Sequence, residues 1–262
     1  MNSIYKILAL LAISSTVFSA CKKEPDPHDD HDHDHNTPTT GSLILEFENV
    51  VGNEALVLND SIYLNQNGDT FNVTTFKYYI SNVKLYKANG DHYDVPNSYY
   101  LIDASNPSSC AFTISSIPTG SYTSIEFMIG VDSTRNVSGV QSGALDPGNN
   151  MFWSWSSGYI MVKFEGTSPQ SSASQNAVMY HIGGFTGTNN VLKTITPDLH
   201  GHSIDISTTS TPQMHLMTDV LEMFKTPTLM DFSVINGIHM PGANAKTVAD
   251  NYADMITVDH IH

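Results

Sequence analysis

The residues with the clearest capacity for chemistry form a short tract in which histidine alternates with aspartate. Residues 28–35 read HDDHDHDH, so imidazoles and carboxylates follow one another along one stretch of chain. Both groups bind first-row divalent metals in the Irving–Williams order, with copper ahead of nickel and zinc. The alternative is an acidic spacer that holds the rest of the chain away from a membrane surface. We predict that the tract captures metal, through His28, His31, His33 and His35.

Eight more histidines follow in the rest of the chain, and two patterns among them are suited to metal binding. His200 and His202 are two positions apart, as are His215 and Met217, and on a β-strand that spacing places both side chains on one face. Imidazole and thioether ligands together suit copper. The alternative is that the histidines are hydrogen-bonded structural residues and that the methionines fill a core. The eight are His92, His181, His200, His202, His215, His239, His260 and His262.

An aromatic segment over residues 139–159 is the third candidate. It reads GVQSGALDPGNNMFWSWSSGY and contains both tryptophans of the chain, Trp153 and Trp155, beside glycine and proline turns. One interpretation is a redox-active or ligand-stacking aromatic site. The other is a core plug, in which large aromatic side chains anchor a long loop and no ligand is needed.

Charge and missing motifs exclude several classes of function. The chain has 11 Lys plus Arg against 26 Asp plus Glu, a formal net charge of -15, and no basic stripe, so no nucleic-acid partner is expected. It contains no Gly-x-Ser-x-Gly, no His-Glu-x-x-His and no phosphate-binding glycine loop. We therefore expect a binding protein and not an enzyme.

The N-terminus predicts export and a lipid anchor. Residues 7–18 are apolar but too few to span a bilayer, which takes roughly 20 residues, and small residues then lead to Cys21. We predict a lipoprotein signal peptide over residues 1–20, and an acylated Cys21 with a disordered tether over residues 21–41. The protein is then an outer-membrane lipoprotein of the cell envelope, facing the periplasm or exposed at the surface. Its lipid is its one contact with the membrane.

These groups have to be positioned by a β-rich domain that begins near residue 42. Ten segments show the apolar patterns of strands, residues 243–255 have helical spacing, and strands do not alternate with helices. We predict an all-β fold, an antiparallel immunoglobulin-like β-sandwich with long loops and one short C-terminal helix, in a single domain over residues 42–262. The ten segments are residues 43–48, 71–87, 99–103, 112–117, 122–131, 158–165, 177–182, 203–207, 213–224 and 231–235.

Seven motifs in a fixed order give the chain a resemblance to a known family. They are FKYYISNVKL at 76–85, GVD at 130–132, GALDP at 143–147, MFWSW at 151–155, GYI at 158–160, KFEG at 163–166 and HIGG at 181–184. This series resembles the MbnP-like domain, a group of exported copper-binding proteins related to the methanobactin-cassette protein MbnP. Many of its members are lipoproteins of the Bacteroidetes type. The resemblance extends from about residue 43 to residue 256.

The resemblance implies a β-rich protein of the periplasm or outer membrane that binds one copper ion. In the better-known members a tryptophan is oxidised to kynurenine, and histidines hold part of the copper site. A diheme peroxidase of the MauG type is the associated oxidising partner. Carried over by position, Trp153 or Trp155 is the modified tryptophan, and His181 is the best-placed histidine.

One departure from the family pattern leaves the ligand set open. Relatives often carry a histidine in the first strand, where this chain has Asn49, a poor copper ligand. Either His202, His215 or His239 supplies the missing imidazole, or the chain keeps the fold without the copper site. The first alternative predicts a copper-binding envelope lipoprotein, for acquisition or handling of the metal. The second predicts a surface-exposed binding or adhesion module with no metal site in its body.

Overall fold

Strands dominate the computed structural model of the chain, which describes residues 39–154 and 156–262. These residues fall within one unit, Pro38–His262. The predicted signal peptide, Cys21, the histidine–aspartate tract and Trp155 lie outside the described residues. Among the helices that are described, none has the length and apolar character needed to cross a membrane.

The chain forms its elements in the following order. The strands are β1 (Thr40–Val51), β2 (Glu54–Ala55), β3 (Tyr63–Leu64), β4 (Thr70–Tyr86), β5 (His92–Asp94), β6 (Tyr99–Asp103), β7 (Ala111–Pro118), β8 (Gly120–Tyr122), β9 (Ser124–Ile129), β10 (Phe152–Ser154), β11 (Gly158–Thr167), β12 (Ala177–Gly183), β13 (Lys193–Ile195), β14 (Ile204–Ile206), β15 (Gln213–Asp219), β16 (Gly237–Ile238) and β17 (Ile256–Ile261). The α-helices are α1 (Ser133–Asn136) and α2 (Ala243–Asn251). Short 3-10 helices lie at Pro107–Ser109, Gly143–Leu145, Pro147–Asn149, Ser174–Asn176, Gly187–Asn189, Val220–Phe224 and Tyr252–Asp254.

The long strand β4 organises the larger of the two main sheets. Along one edge it pairs first with β11 and then with β9, and along the other edge with β6 and then β5. Beyond these neighbours, β13 pairs with β9, and β12 pairs with both β11 and β16. Because β4 has 17 residues, it is long enough to hold two neighbours in succession on each edge.

The smaller main sheet is built around β1. Its order is β17-β15-β1-β2, and β7 also pairs with β1. The pairs β1–β15 and β12–β16 are parallel. All the other strand pairs formed by the described residues are antiparallel, as the sequence predicts.

The core lies between these two sheets and is rich in aromatic rings. Phe47 of β1 packs edge-to-face on Tyr78 of β4 and on Phe127 of β9, with ring centroids 6.2 Å apart in both pairs. The Tyr78 hydroxyl and Thr218 Oγ1 of β15 form a buried hydrogen bond of 2.9 Å across the same space. Sheet-on-sheet packing of this kind defines a β-sandwich, and the predicted all-β sandwich is confirmed.

Two predicted strands differ from the structure, one because it is a turn and the other because it ends early, and an aspartate side chain is responsible in each case. Residues 231–235 form a turn and not a strand, because Asp231 accepts hydrogen bonds from the Ser233 amide and hydroxyl and its carbonyl accepts from Ile235 N. The strand predicted over residues 213–224 ends at Asp219, whose carboxylate accepts from Leu221 N and begins a 3-10 helix.

The end of the chain also departs from the prediction. The helix predicted over residues 243–255 ends as α2 at Asn251 and continues as the 3-10 helix Tyr252–Asp254. The edge strand β17, which follows it, is absent from the predicted set. Its sequence alternates buried Ile256 and Val258 with exposed Thr257 and Asp259, which is the pattern of a half-buried strand.

Candidate metal centre

The first group of metal-ligand residues centres on His181, whose ring is held by a carboxylate. His181 lies on β12 with its side chain 15% exposed, and its Nε2 is 2.7 Å from Glu165 Oε1 on β11. Glu165 is fixed in turn by Lys163 Nζ at 3.2 Å and by a hydrogen bond of 3.0 Å that Thr75 Oγ1 donates. When His181 is neutral and donates from Nε2 to this carboxylate, its Nδ1 carries the lone pair that binds a metal.

The electrostatics of this pair favour the metal-binding state of the histidine. Burial lowers the pKa of His181, and the hydrogen bond with Glu165 offsets that effect only in part. Burial also disfavours the ionised form of Glu165, but the hydrogen bond with His181 and the charge of Lys163 outweigh it, so the pKa of Glu165 is lowered. A neutral imidazole beside an ionised carboxylate is the combination found behind metal-binding histidines.

His239 provides a second imidazole at the same place. It follows β16, whose parallel register sets Tyr180 of β12 opposite Ile238, so His239 comes next to His181. The two ring centroids are 5.5 Å apart and the ring planes are perpendicular, at 89°. Two imidazoles that hold one metal at about 2 Å from each nitrogen have centroids on the order of 5–6 Å apart. The spacing therefore fits a shared ion.

Solvent reaches the pair from the side of His239. This histidine is exposed, and an open cavity of about 320 Å³ is lined by it together with Met240 and Pro241. The Met240 side chain is 70% exposed and offers a thioether at the rim. A metal ion can therefore approach the His181–His239 pair without any opening of the fold.

The Trp153 ring lies over Gly183, on the same strand as His181. A side chain at Gly183 would meet the Trp153 ring, since a Cβ built there lies 2.5 Å from Trp153 Cζ3. Gly183 is two residues after His181 on β12, so both positions belong to one face of the sheet. The indole is packed against the core and partly exposed, so it anchors this part of the chain beside the strand that carries His181.

The other histidines singled out in the sequence lie elsewhere. His200 and His202 stand in a turn before β14 and not on a strand, so their predicted common strand face is wrong. His200 has a positive φ of 54°, and its Nε2 is 3.2 Å from Val258 O. His202 is exposed and belongs to neither of the histidine groups that the described residues form.

His215 and Met217 share the less buried face of β15, as predicted. That strand belongs to the smaller main sheet, whereas His181 lies on the larger one. His215 there meets His260 and His262, two residues that the sequence analysis did not place in a site. The alternation of apolar and polar residues in β17 is the signal that would have predicted a strand there, although not its pairing with β15. Of the three replacements considered for the missing imidazole, the structure brings His239 into ring contact with His181.

Asn49 on β1 belongs to no group of metal-ligand residues formed by the described part of the chain. Asn49 Nδ2 lies 3.8 Å from Cys110 Sγ, and Asn49 Oδ1 is buried without a hydrogen-bond partner. Burial raises the pKa of the half-buried Cys110 thiol, which keeps it protonated and a weak ligand.

Comparisons with known proteins agree with this architecture. The sequence profile of the MbnP family matches residues 40–240. Among solved structures, MbnP from Methylosinus trichosporium is similar with a TM-score of 0.54 and 15% sequence identity, over 84% of this chain and 98% of that chain. No curated protein sequence matches this chain.

Proposed function

The chain belongs to the MbnP family, and on that premise we propose that it binds a copper ion through His181 and His239. The family is linked to copper-related function. The observation that carries the proposal is the contact between the two imidazoles, one of them oriented by Glu165. Carboxylate–histidine pairs of this kind orient metal ligands in proteins, and imidazole is a good copper ligand.

The donor set supports binding more than turnover. A two-histidine site beside an exposed thioether suits capture and handling of copper, and no nucleophile–base pair is part of it. We propose that the protein acts as a lipoprotein of the cell envelope, anchored through Cys21 at the outer membrane, that acquires or buffers copper. The histidine–aspartate tract raises the local metal concentration.

Trp153 is the residue that we propose for oxidation to kynurenine. Its ring packs over Gly183, which lies two residues after His181 on the same face of β12. Its partly exposed indole is open to an oxidising partner, for which a diheme peroxidase of the MauG type is the proposed class. Mass spectrometry of tryptic peptides from protein produced in a host with this peroxidase tests the assignment. An unmodified Trp153 beside a copper-loaded site would contradict it.

Copper titration of single-histidine variants tests the central proposal. The background is the full chain with asparagine in place of His28, His31, His33, His35, His260 and His262, so that neither the tract nor the histidine group on the smaller main sheet holds copper. We expect one tightly held copper per chain, measured by metal analysis and by competition with a Cu(I) chelator. His181→Ala and His239→Ala each remove a direct ligand, so each should lower the affinity by more than the roughly 10–100-fold that loss of an outer partner costs.

His92→Ala is the matched control for these variants. His92 is an exposed imidazole on β5, 3.4 Å from Asp94, and it should bind no copper of its own. Unchanged affinity in both His181→Ala and His239→Ala would overturn the proposal. A body that binds no copper at all would instead favour the adhesion module, since the fold would then be present without its metal.

A further inference from the structure

Three imidazoles meet on the smaller main sheet, away from the His181–His239 pair. His215 of β15 is directly opposite His260 of β17, and their rings are stacked with centroids 4.2 Å apart. The ring of His262 lies 4.9 Å from that of His215 and 5.2 Å from that of His260. One ring nitrogen from each histidine lies within 4.8 Å of the other two. We name these three residues the histidine trio.

The backbone holds the trio in register. Gln213 N donates to His262 O at 2.7 Å, and His262 N donates to Gln213 O at 3.0 Å, so the residue after β17 is still paired with β15. His215 is also opposite Glu46 in the parallel pairing of β1 with β15. Glu46, His215 and His260 therefore form one row across three neighbouring strands.

Two carboxylates approach the imidazoles of this row, one from Asp259 and one from Glu46 itself. Asp259 Oδ2 is 2.6 Å from His260 Nδ1, an arrangement that leaves Nε2 of that ring to act as a ligand. Glu46 Oε2 lies 3.6 Å from His215 Nε2 and accepts a hydrogen bond from the Gln213 side chain. Two carboxylates offset the charge of a divalent cation placed between them.

One buried ring nitrogen of the trio has no hydrogen-bond partner. His215 Nε2 is buried and makes no hydrogen bond, because 3.6 Å to Glu46 is beyond hydrogen-bond distance. A ring nitrogen that is shielded from water, points toward a carboxylate and lies among two other imidazoles has the surroundings of a metal ligand. Ring stacking alone would leave this atom without a partner.

We propose that His215, His260 and His262 bind a late first-row divalent cation, with Glu46 as a fourth or outer ligand. Three imidazoles with a carboxylate or water form a donor set typical of zinc, and copper(II) and nickel(II) prefer the same nitrogen ligands. Binding brings the ring nitrogens closer than in the stacked arrangement, which the exposed side chains of His260 and His262 permit by rotating. The ion joins edge strand β17 to β15.

This site is separate from the proposed copper site in position and in sequence. His260 and His262 lie beyond residues 40–240, the range that the family profile matches. Its ligands come from β15 and β17, whereas His181 belongs to β12 of the larger sheet. The two proposals therefore stand or fall independently.

Thermal unfolding of the full chain with Zn²⁺ as the probe tests the trio. An ion that binds only the folded state raises Tm, whereas binding to residues 28–35 occurs in folded and unfolded chains alike and largely cancels. At Zn²⁺ about 100-fold above Kd we expect Tm to rise on the order of 5–10 °C. His260→Ala and His262→Ala should each abolish most of this rise. Both side chains are exposed, so neither replacement should lower the Tm of the metal-free protein.

Two controls separate this site from the others. His92→Ala should retain the full Zn²⁺-induced rise, and so should the double variant His181→Ala/His239→Ala if the trio binds the ion. Zinc analysis of the chain with asparagine at His28, His31, His33 and His35 should show one Zn²⁺ fewer after His260→Ala. A rise that persists unchanged in both His260→Ala and His262→Ala, or no rise in the unaltered chain, would overturn the proposal.

Discussion

Glu165 is the residue on which the orientation of the proposed copper ligand depends. Its carboxylate contacts His181 Nε2, Lys163 Nζ and Thr75 Oγ1 at once, so it links three strands of the larger sheet. The same carboxylate sets which nitrogen of His181 carries the proton. In the proposed copper site we therefore expect Glu165 to position the ligand and not to bind the metal.

Replacement Glu165→Gln should weaken copper binding without unfolding the protein. The amide keeps the shape and one acceptor oxygen but loses the charge that strengthens the hydrogen bond with His181. Loss of such an outer partner lowers metal affinity about 10–100-fold. Competition titration with a Cu(I) chelator measures the change. Asp94→Asn, which alters an exposed carboxylate beside Lys84, is the matched control. Equal affinities for Glu165→Gln and this control would show that Glu165 does not position the ligand.

At the scale of the elements, the hydrogen bond between Tyr78 of β4 and Thr218 of β15 ties the two main sheets together. Both residues are fully buried, and burial raises the pKa of Tyr78, so its hydroxyl stays neutral and available for the bond. The bond lies beside the edge-to-face contacts that Phe47 makes with Tyr78 and Phe127.

Replacement Tyr78→Phe should lower the free energy of unfolding by about 1–3 kcal/mol, because Thr218 Oγ1 is then buried without this partner. Urea unfolding followed by circular dichroism measures the change. Tyr93→Phe is the matched control, since its hydroxyl donates to Ser116 O at 3.1 Å in an exposed position, and it should cost less than Tyr78→Phe. Equal costs would mean that the bond between the sheets adds nothing beyond a surface hydrogen bond.

The elements also show how far the sequence predicts the structure. Strands with strong alternation, such as β4 and β6, lie within a residue of their predicted limits, because local pattern and burial agree there. Residues 231–235 have an apolar content typical of a strand. The Asp231 side chain nevertheless accepts a hydrogen bond from the Ser233 backbone amide, which would otherwise be free to pair with another strand, and the segment forms a turn. Strand β17 pairs with residues of β15 that lie 38 to 47 positions earlier in the chain, and no local sequence pattern specifies that pairing.

The same distinction applies to the candidate sites. His181 is recognisable from its HIGG motif, whereas its partner His239 depends on the parallel pairing of β12 with the two-residue strand β16. The histidine trio depends on the register of β15 with β17. Residue types can be read from the sequence, but which of them meet is decided by long-range pairing.

At the scale of the whole molecule, the groups suited to metal binding are divided between a tract and a folded body. The body buries its apolar side chains between two sheets, and its two histidine groups lie on separate sheets. Residues 28–35 contain only histidine and aspartate, so they have no apolar side chain to add to that core. Metal capacity and stability should therefore be separable.

Deletion of residues 28–35 should lower the number of metal ions bound per chain while leaving the stability of the body unchanged to within about 0.5 kcal/mol, the range of substitutions without core contacts. The deletion removes four imidazoles and four carboxylates. Metal analysis after equilibrium dialysis gives the stoichiometry, and urea unfolding in the presence of a chelator gives the stability. Replacing the eight residues by alternating glycine and serine preserves the tether length and should give the same two results. A stability loss common to both variants would show that the tract packs on the body, and the division of the molecule into a capturing tract and an independent fold would then be wrong.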